Sequence, residues 1–151
     1  MKTRYIILTV LAAMAFTSCD KMLDVPRKGV IDYNTYYKTD EEIESAGITM
    51  YSDVRGWYYN VMLVKNIISD DYYAGGAAHG DNVDMDALGE FGFNSETGQI
   101  ESSFTGYYGL IYHANVIIGH IDPEQSAAAA RAVAEAHLFR GWAYFELMVM
   151  K

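Results

Sequence analysis

The sequence predicts an all-α, mainly helical protein built from tetratricopeptide-like helical hairpins. Three observations carry this. Apolar residues recur at helical spacing over 40–69, 101–121 and 122–151. Both prolines, Pro26 and Pro123, stay out of helix interiors. One tight turn joins the last two helices, which makes an antiparallel hairpin, the unit of helical repeat arrays.

The chain opens with Lys2 and Arg4, then an apolar run from Tyr5 to Phe16, then Thr17-Ser18-Cys19. That order reads as a secretory signal over 1–18, with small residues before the cut. About 12 apolar residues are too few for a membrane span, which needs roughly 20. Cys19 is the only cysteine, so it has no disulfide partner in the chain. Placed directly after the cut, it looks like the lipidated first residue of a bacterial lipoprotein. Residues 19–39, with Pro26 and the turn signal Arg27-Lys28-Gly29, read as an extended lead between the lipid and a helical domain over 40–151.

The first helix starts at Thr39 or Asp40, where Glu41, Glu42 and Glu44 suit the positive helix end. Ile43, Ala46, Met50, Trp57, Val61 and Val64 form its stripe, Gly47 and Gly56 weaken it, and it ends near Ser69. Residues 70–100, rich in glycine and acids, keep no helical period and read as a long loop, a segment type that is commonly functional. The second helix runs from Glu101 to Ile121. Phe104, Tyr108, Ile111, Asn115 and Ile118 make one stripe and further apolar residues cover the rest, so it is expected to be largely buried. The third helix is given Asp122 as N-cap, Pro123 at N1 and Gln125 as capping-box partner. Its expected apolar face is Ala134, Leu138, Gly141, Trp142 and Phe145. Asn115, Glu135 and Arg140 are read as structural, bonding across helices. The chain ends in mid-helix at Met148-Val149-Met150-Lys151 without a C-cap, so an incomplete coding sequence is expected.

Composition narrows the function classes. Loss of Lys2 and Arg4 with the signal leaves 9 cations against 20 carboxylates and moves the net charge from −9 to −11. Such a chain suits neither nucleic acid nor an anionic membrane surface. Membrane attachment falls to the lipid. Thirteen tyrosines and two tryptophans are too aromatic for a disordered chain and suit amphipathic contact surfaces. The adjacent acids Asp70-Asp71 and Glu41-Glu42 do not face each other across a cleft as glycosidase carboxylates do. Asn82-x-Asp84-x-Asp86 has the alternation of a calcium loop, but Ala87 and Phe93 stand where glycine and glutamate are needed. The four histidines have no zinc spacing. No metal or cofactor is expected.

Four landmarks, in order, resemble the N-terminal part of the SusD/RagB family, the surface glycan-binding lipoproteins of Bacteroidetes. They are Ser18-Cys19-Asp20-Lys21-Met22-Leu23-Asp24-Val25-Pro26, then Ile67-Ile68-Ser69-Asp70-Asp71. The tyrosine-rich run Tyr107 to Ile118 with its Ala114-Asn115 pair follows, then Ala134 to Phe145 with Glu135, Arg140, Tyr144 and Phe145. Gly141 stands where the family usually has alanine, and the Tyr-Gly and Pro-Leu segment that normally follows lies beyond Lys151. The resemblance implies an outer-membrane, lipid-anchored, cell-surface protein that is not an enzyme. It would bind oligosaccharides, or peptides, and pass them to a SusC-like TonB-dependent transporter. A lipid-anchored glycan-degrading enzyme and a structural or adhesive lipoprotein are the rival classes. Family comparison places early ligand contacts after the first helix. There the loop offers Tyr72, Tyr73, Asp81, Asn82 and Asp84, aromatic platforms and polar partners suited to sugars.

Overall fold

The computed structural model describes residues 33, 35–69, 71–76 and 78–150. Cys19, the signal segment, the lead up to residue 32 and Asp70 lie outside them. The described residues form four helices and no strand: α1 (Asp40–Ile67), α2 (Val83–Gly89), α3 (Gly98–His120) and α4 (Ala127–Val149). The fold is all-α. No helix among the described residues is long and apolar enough to cross a membrane.

α1 begins where its sequence asks it to. Thr39 Oγ1 accepts from the Glu42 amide at 3.2 Å, and Glu42 Oε2 accepts from the Thr39 and Lys38 amides at 3.1 and 2.8 Å. This capping box satisfies orphan donors at the helix start and holds the Glu42 carboxyl below its usual range, through the Lys38 and Thr39 amides. α1 then runs 28 residues through Gly47 and Gly56 without a break.

Residue pairing fixes the topology. Asn60 meets Ser102 and Asp53 meets His113, so α3 runs antiparallel to α1. Asn115 meets Arg140 while Tyr107 packs on Trp142, so α4 runs antiparallel to α3, and the two form the expected hairpin. Ser126 bonds Asp40, Tyr51 packs on Phe139, and Lys65 pairs with Glu146, so α1 and α4 run parallel. The three long helices enclose a core of Ile43, Met50, Val61, Tyr107, Leu110, Ala114, Ile117, Ala129, Ala136 and Ala143. Half-buried against this core, Trp57 lies 4.6 Å from the Tyr107 ring and 6.4 Å from the Trp142 ring.

Several expectations need correction. The 70–100 segment is not all loop. Asn82 caps α2 by accepting from the Met85 amide at 3.2 Å. α2 ends with Phe91 at φ 57°, whose conformation lets Gly92 N–H reach back to the Ala87 carbonyl at 2.8 Å. Two turns are too short to show a period, and phenylalanine hides a C-terminal position normally marked by glycine. α4 starts at Ala127, not Pro123. Asp122 and Gln125 close a turn, and Ser126 Oγ caps the helix by accepting from Ala129 N–H at 3.1 Å. Gln125 is no capping-box partner; its amide reaches the Tyr37 carbonyl at 3.3 Å. α3 is not largely buried. Its inward residues are Ser103, Tyr107, Leu110, Ile111, Ala114 and Ile117, so of the expected stripe Ile111 is buried, whereas Tyr108, Tyr112 and Asn115 face out.

A further correction concerns α4. Its inward face is Ala129, Ala132, Val133, Ala136, Ala143, Glu146 and Leu147, whereas Ala134, Leu138, Gly141 and Phe145 are exposed. Small alanines let α4 sit close to both neighbours, which a face of leucine and phenylalanine would prevent. Arg140 does bond across helices, donating to Asn115 Oδ1 at 2.8 Å. Glu135 pairs within its own helix, with Arg131 one turn earlier at 3.4 Å. Tyr37, at φ 65°, is buried in the core, and Tyr33 packs on His120 and Tyr37.

Candidate functional site

The segment between α1 and α3 is held on the bundle by one side chain above all. Leu88 of α2 is fully buried against Val64 and Ile67, with Ala74, Met85, Ile100 and Met150 around it. Burying a leucine stabilises by roughly 1.5–3 kcal/mol, enough to fix a short helix on a platform. Asp84 Oδ2 accepts from Gly98 N–H at 3.0 Å and ties α2 to the start of α3.

Leading into α2, Gly75, Gly76 and Gly80 adopt positive φ, a region side chains avoid. This route brings His79 back over α2. His79 Nε2 lies 2.8 Å from Glu90 Oε1, and Gly80 N–H donates to Asp86 Oδ2 at 2.6 Å. The Glu90 hydrogen bond, reinforced by the Asp86 charge, raises the His79 pKa above its ordinary value of about 6.5. A raised histidine pKa means the tie is complete below that ordinary value and is lost as pH rises through the raised one. NMR titration of the His79 ring is therefore expected to give a pKa above 6.5, falling toward the ordinary value in Glu90→Gln, with the Asp86 charge keeping part of the rise. An unshifted wild-type titration would contradict the tie.

Tyr72, Tyr73, Ala74, His79, Asp86, Gly89 and Glu90 line a shallow recess of about 80 Å³. Tyr72 is 59% and Tyr73 86% exposed, so neither ring packs under the loop. The expected site residues divide. Tyr72 and Tyr73 stand together on the recess. Asp81, Asn82 and Asp84 do not line it: Asp81 Oδ2 accepts from Ala78 N–H at 3.1 Å, Asn82 caps α2, and Asp84 holds Gly98. The polar groups actually beside the tyrosines are His79, Asp86 and Glu90, which sequence reasoning missed. The signal was the Asn82 cap with Met85 and Leu88 three residues apart, which predicts the α2 turn that gathers them.

Two aromatic faces, two carboxylates and an imidazole can grip a flat, hydroxyl-rich molecule without covalent chemistry. Among the described residues no group of three or more histidine, cysteine, aspartate or glutamate side chains is arranged to hold a metal ion.

Comparison with known proteins gives the frame for this geometry. The chain is 27% identical to a SusD-like protein of Bacteroides ovatus over 98% of its own length and 27% of that protein's. It is 22% identical to a SusD-like protein of Formosa agariphila over 98% of its own length and 30% of that protein's. The chain thus spans less than a third of the length of these curated relatives. No solved structure matches it significantly. Residues 23–150 match the SusD-like family described as "Starch-binding associating with outer membrane". With that match running from the lead to the end of α4, the chain belongs to the SusD-like family.

Proposed function

We infer that the chain serves in a cell-surface lipoprotein, anchored through Cys19 in the outer membrane. It binds glycans, with peptides as the other ligand class, and delivers them to a partner SusC-like TonB-dependent transporter for nutrient uptake. The observation that carries this reading is the pair Tyr72 and Tyr73, exposed side by side on a recess edged by Asp86 and Glu90. Sugars offer flat apolar faces to such rings and hydroxyl edges to such acids. Family membership supports the reading, since the family is described as starch-binding and outer-membrane associated. The ligand class to try first is therefore an α-glucan. Capture is non-covalent, so release of reducing ends from starch by the purified protein would contradict it.

Affinity electrophoresis in starch and calorimetry with malto-oligosaccharides test the site. Two stacking rings at about 1 kcal/mol each correspond to a roughly 30-fold weaker Kd in the Tyr72→Ala, Tyr73→Ala double variant. The rings are exposed, so its thermal unfolding should match the parent. Undiminished retention in starch would remove both tyrosines from the site.

A further inference from the structure

α2 closes in a motif that favours glycine and carries phenylalanine instead. Past its last residue, Gly89, the Gly92 amide donates to the Ala87 carbonyl at 2.8 Å and the Phe91 amide to the Leu88 carbonyl at 3.3 Å. These are the two bonds of a Schellman ending, in which the residue between Glu90 and Gly92 is left-handed. Phe91 takes that conformation, at φ 57°. A bulky side chain is disfavoured there, because its Cβ crowds the following carbonyl. Gly92 could adopt it freely, but it stands one residue too late and has no positive φ.

Packing does not offset this strain. The Phe91 side chain is 65% exposed and belongs to neither apolar cluster of the described residues. Strain that packing leaves uncompensated points to a use for the side chain itself. Its neighbour shows which. Glu90 lines the recess with Tyr72 and Tyr73, and Phe91 follows it one Cα step, about 3.8 Å, further along the chain. Phe91 does not line the recess itself, so it stands at the margin.

We propose that Phe91 is an extension subsite, a third aromatic contact just outside the recess that favours longer glycan chains. The proposal rests on the recess being the glycan site. A sugar beyond those held by the tyrosines lays its apolar face on the phenyl ring, which the left-handed backbone holds out to solvent. A chain short enough to fill only the recess does not reach it.

Calorimetry with maltotriose and maltoheptaose, on the parent chain and on Phe91→Gly, tests this. Glycine suits the left-handed position, so the variant should unfold at or above the parent's temperature. Loss of one stacking ring should weaken its Kd for maltoheptaose roughly 5-fold and leave maltotriose unchanged. Phe91→Tyr should bind both sugars as the parent does. Val83→Ala, which removes another exposed apolar side chain of α2, should change neither. Unchanged maltoheptaose affinity in Phe91→Gly, where Tyr72→Ala, Tyr73→Ala loses it, would overturn this proposal and leave the recess standing. An equal loss for both sugars would overturn the extension by placing the ring within the recess site. Unfolding below the parent's temperature would overturn it by giving the ring a structural role. A parent chain that binds neither sugar would remove the recess and the extension together.

Discussion

Lys65→Met is expected to lower the unfolding free energy by about 2–3 kcal/mol in urea titration. Breaking a buried ion pair from one side typically costs about 3–5 kcal/mol, and the partly exposed Lys65 places this pair toward or below the lower end. Glu146 sits on the inward face of α4 with its side chain 9% exposed, and its charge is met by Lys65 from α1. Beside it lies the Tyr107 hydroxyl, fully buried and without a partner of good hydrogen-bond geometry. Burial, together with the nearby Glu146 carboxylate, pushes the Tyr107 pKa far up, so the phenol stays neutral. Removing Lys65 therefore leaves Glu146 facing a phenol that cannot neutralise it. The double variant Lys65→Met, Glu146→Leu should recover most of the loss, because replacing both charges removes the stranded one. A loss in the double variant as large as in the single one would show that the methionine, not the stranded carboxylate, is at fault.

Gly106→Ala should destabilise by about 1–3 kcal/mol, the range for overpacking a filled core. A Cβ at Gly106 would overlap the Trp57 indole, a rigid ring already held by Tyr107 and Trp142. Alanine's better helix propensity, worth up to about 1 kcal/mol, opposes this but does not move the ring. Gly109→Ala, three residues on, meets nothing within 4 Å and should stabilise by up to about 1 kcal/mol. The opposite signs, read from chemical denaturation midpoints of the two variants, check that Trp57 enters the core through the gap at Gly106. Destabilisation by both would reduce the effect to one of helix α3 in general.

These two sites also show which features could be read from the sequence. The start of α1 was legible because its cap is local: Thr39 and Glu42 are three residues apart and need nothing else. The start of α4 was misplaced because two candidate caps, Asp122 and Ser126, stand four residues apart. Only the contact of Ser126 with Asp40 of α1 favours the second. The α4 face could not be chosen from periodicity, since both sides are apolar and the choice rests on which side is small enough to pack. Tyr72 and Tyr73 were legible as an aromatic pair in a glycine-rich segment. His79, Asp86 and Glu90 were not, since their meeting depends on α2 turning the chain back on itself.

The central claim is that the recess bearing Tyr72 and Tyr73 is where ligand is held. Backbone NMR during titration with maltoheptaose tests it most directly. The largest shift changes should fall on residues 72–74, 79, 86 and 89–90, leaving the core amides of α3 and α4 unmoved. Changes centred elsewhere, or none at saturating sugar, would contradict it.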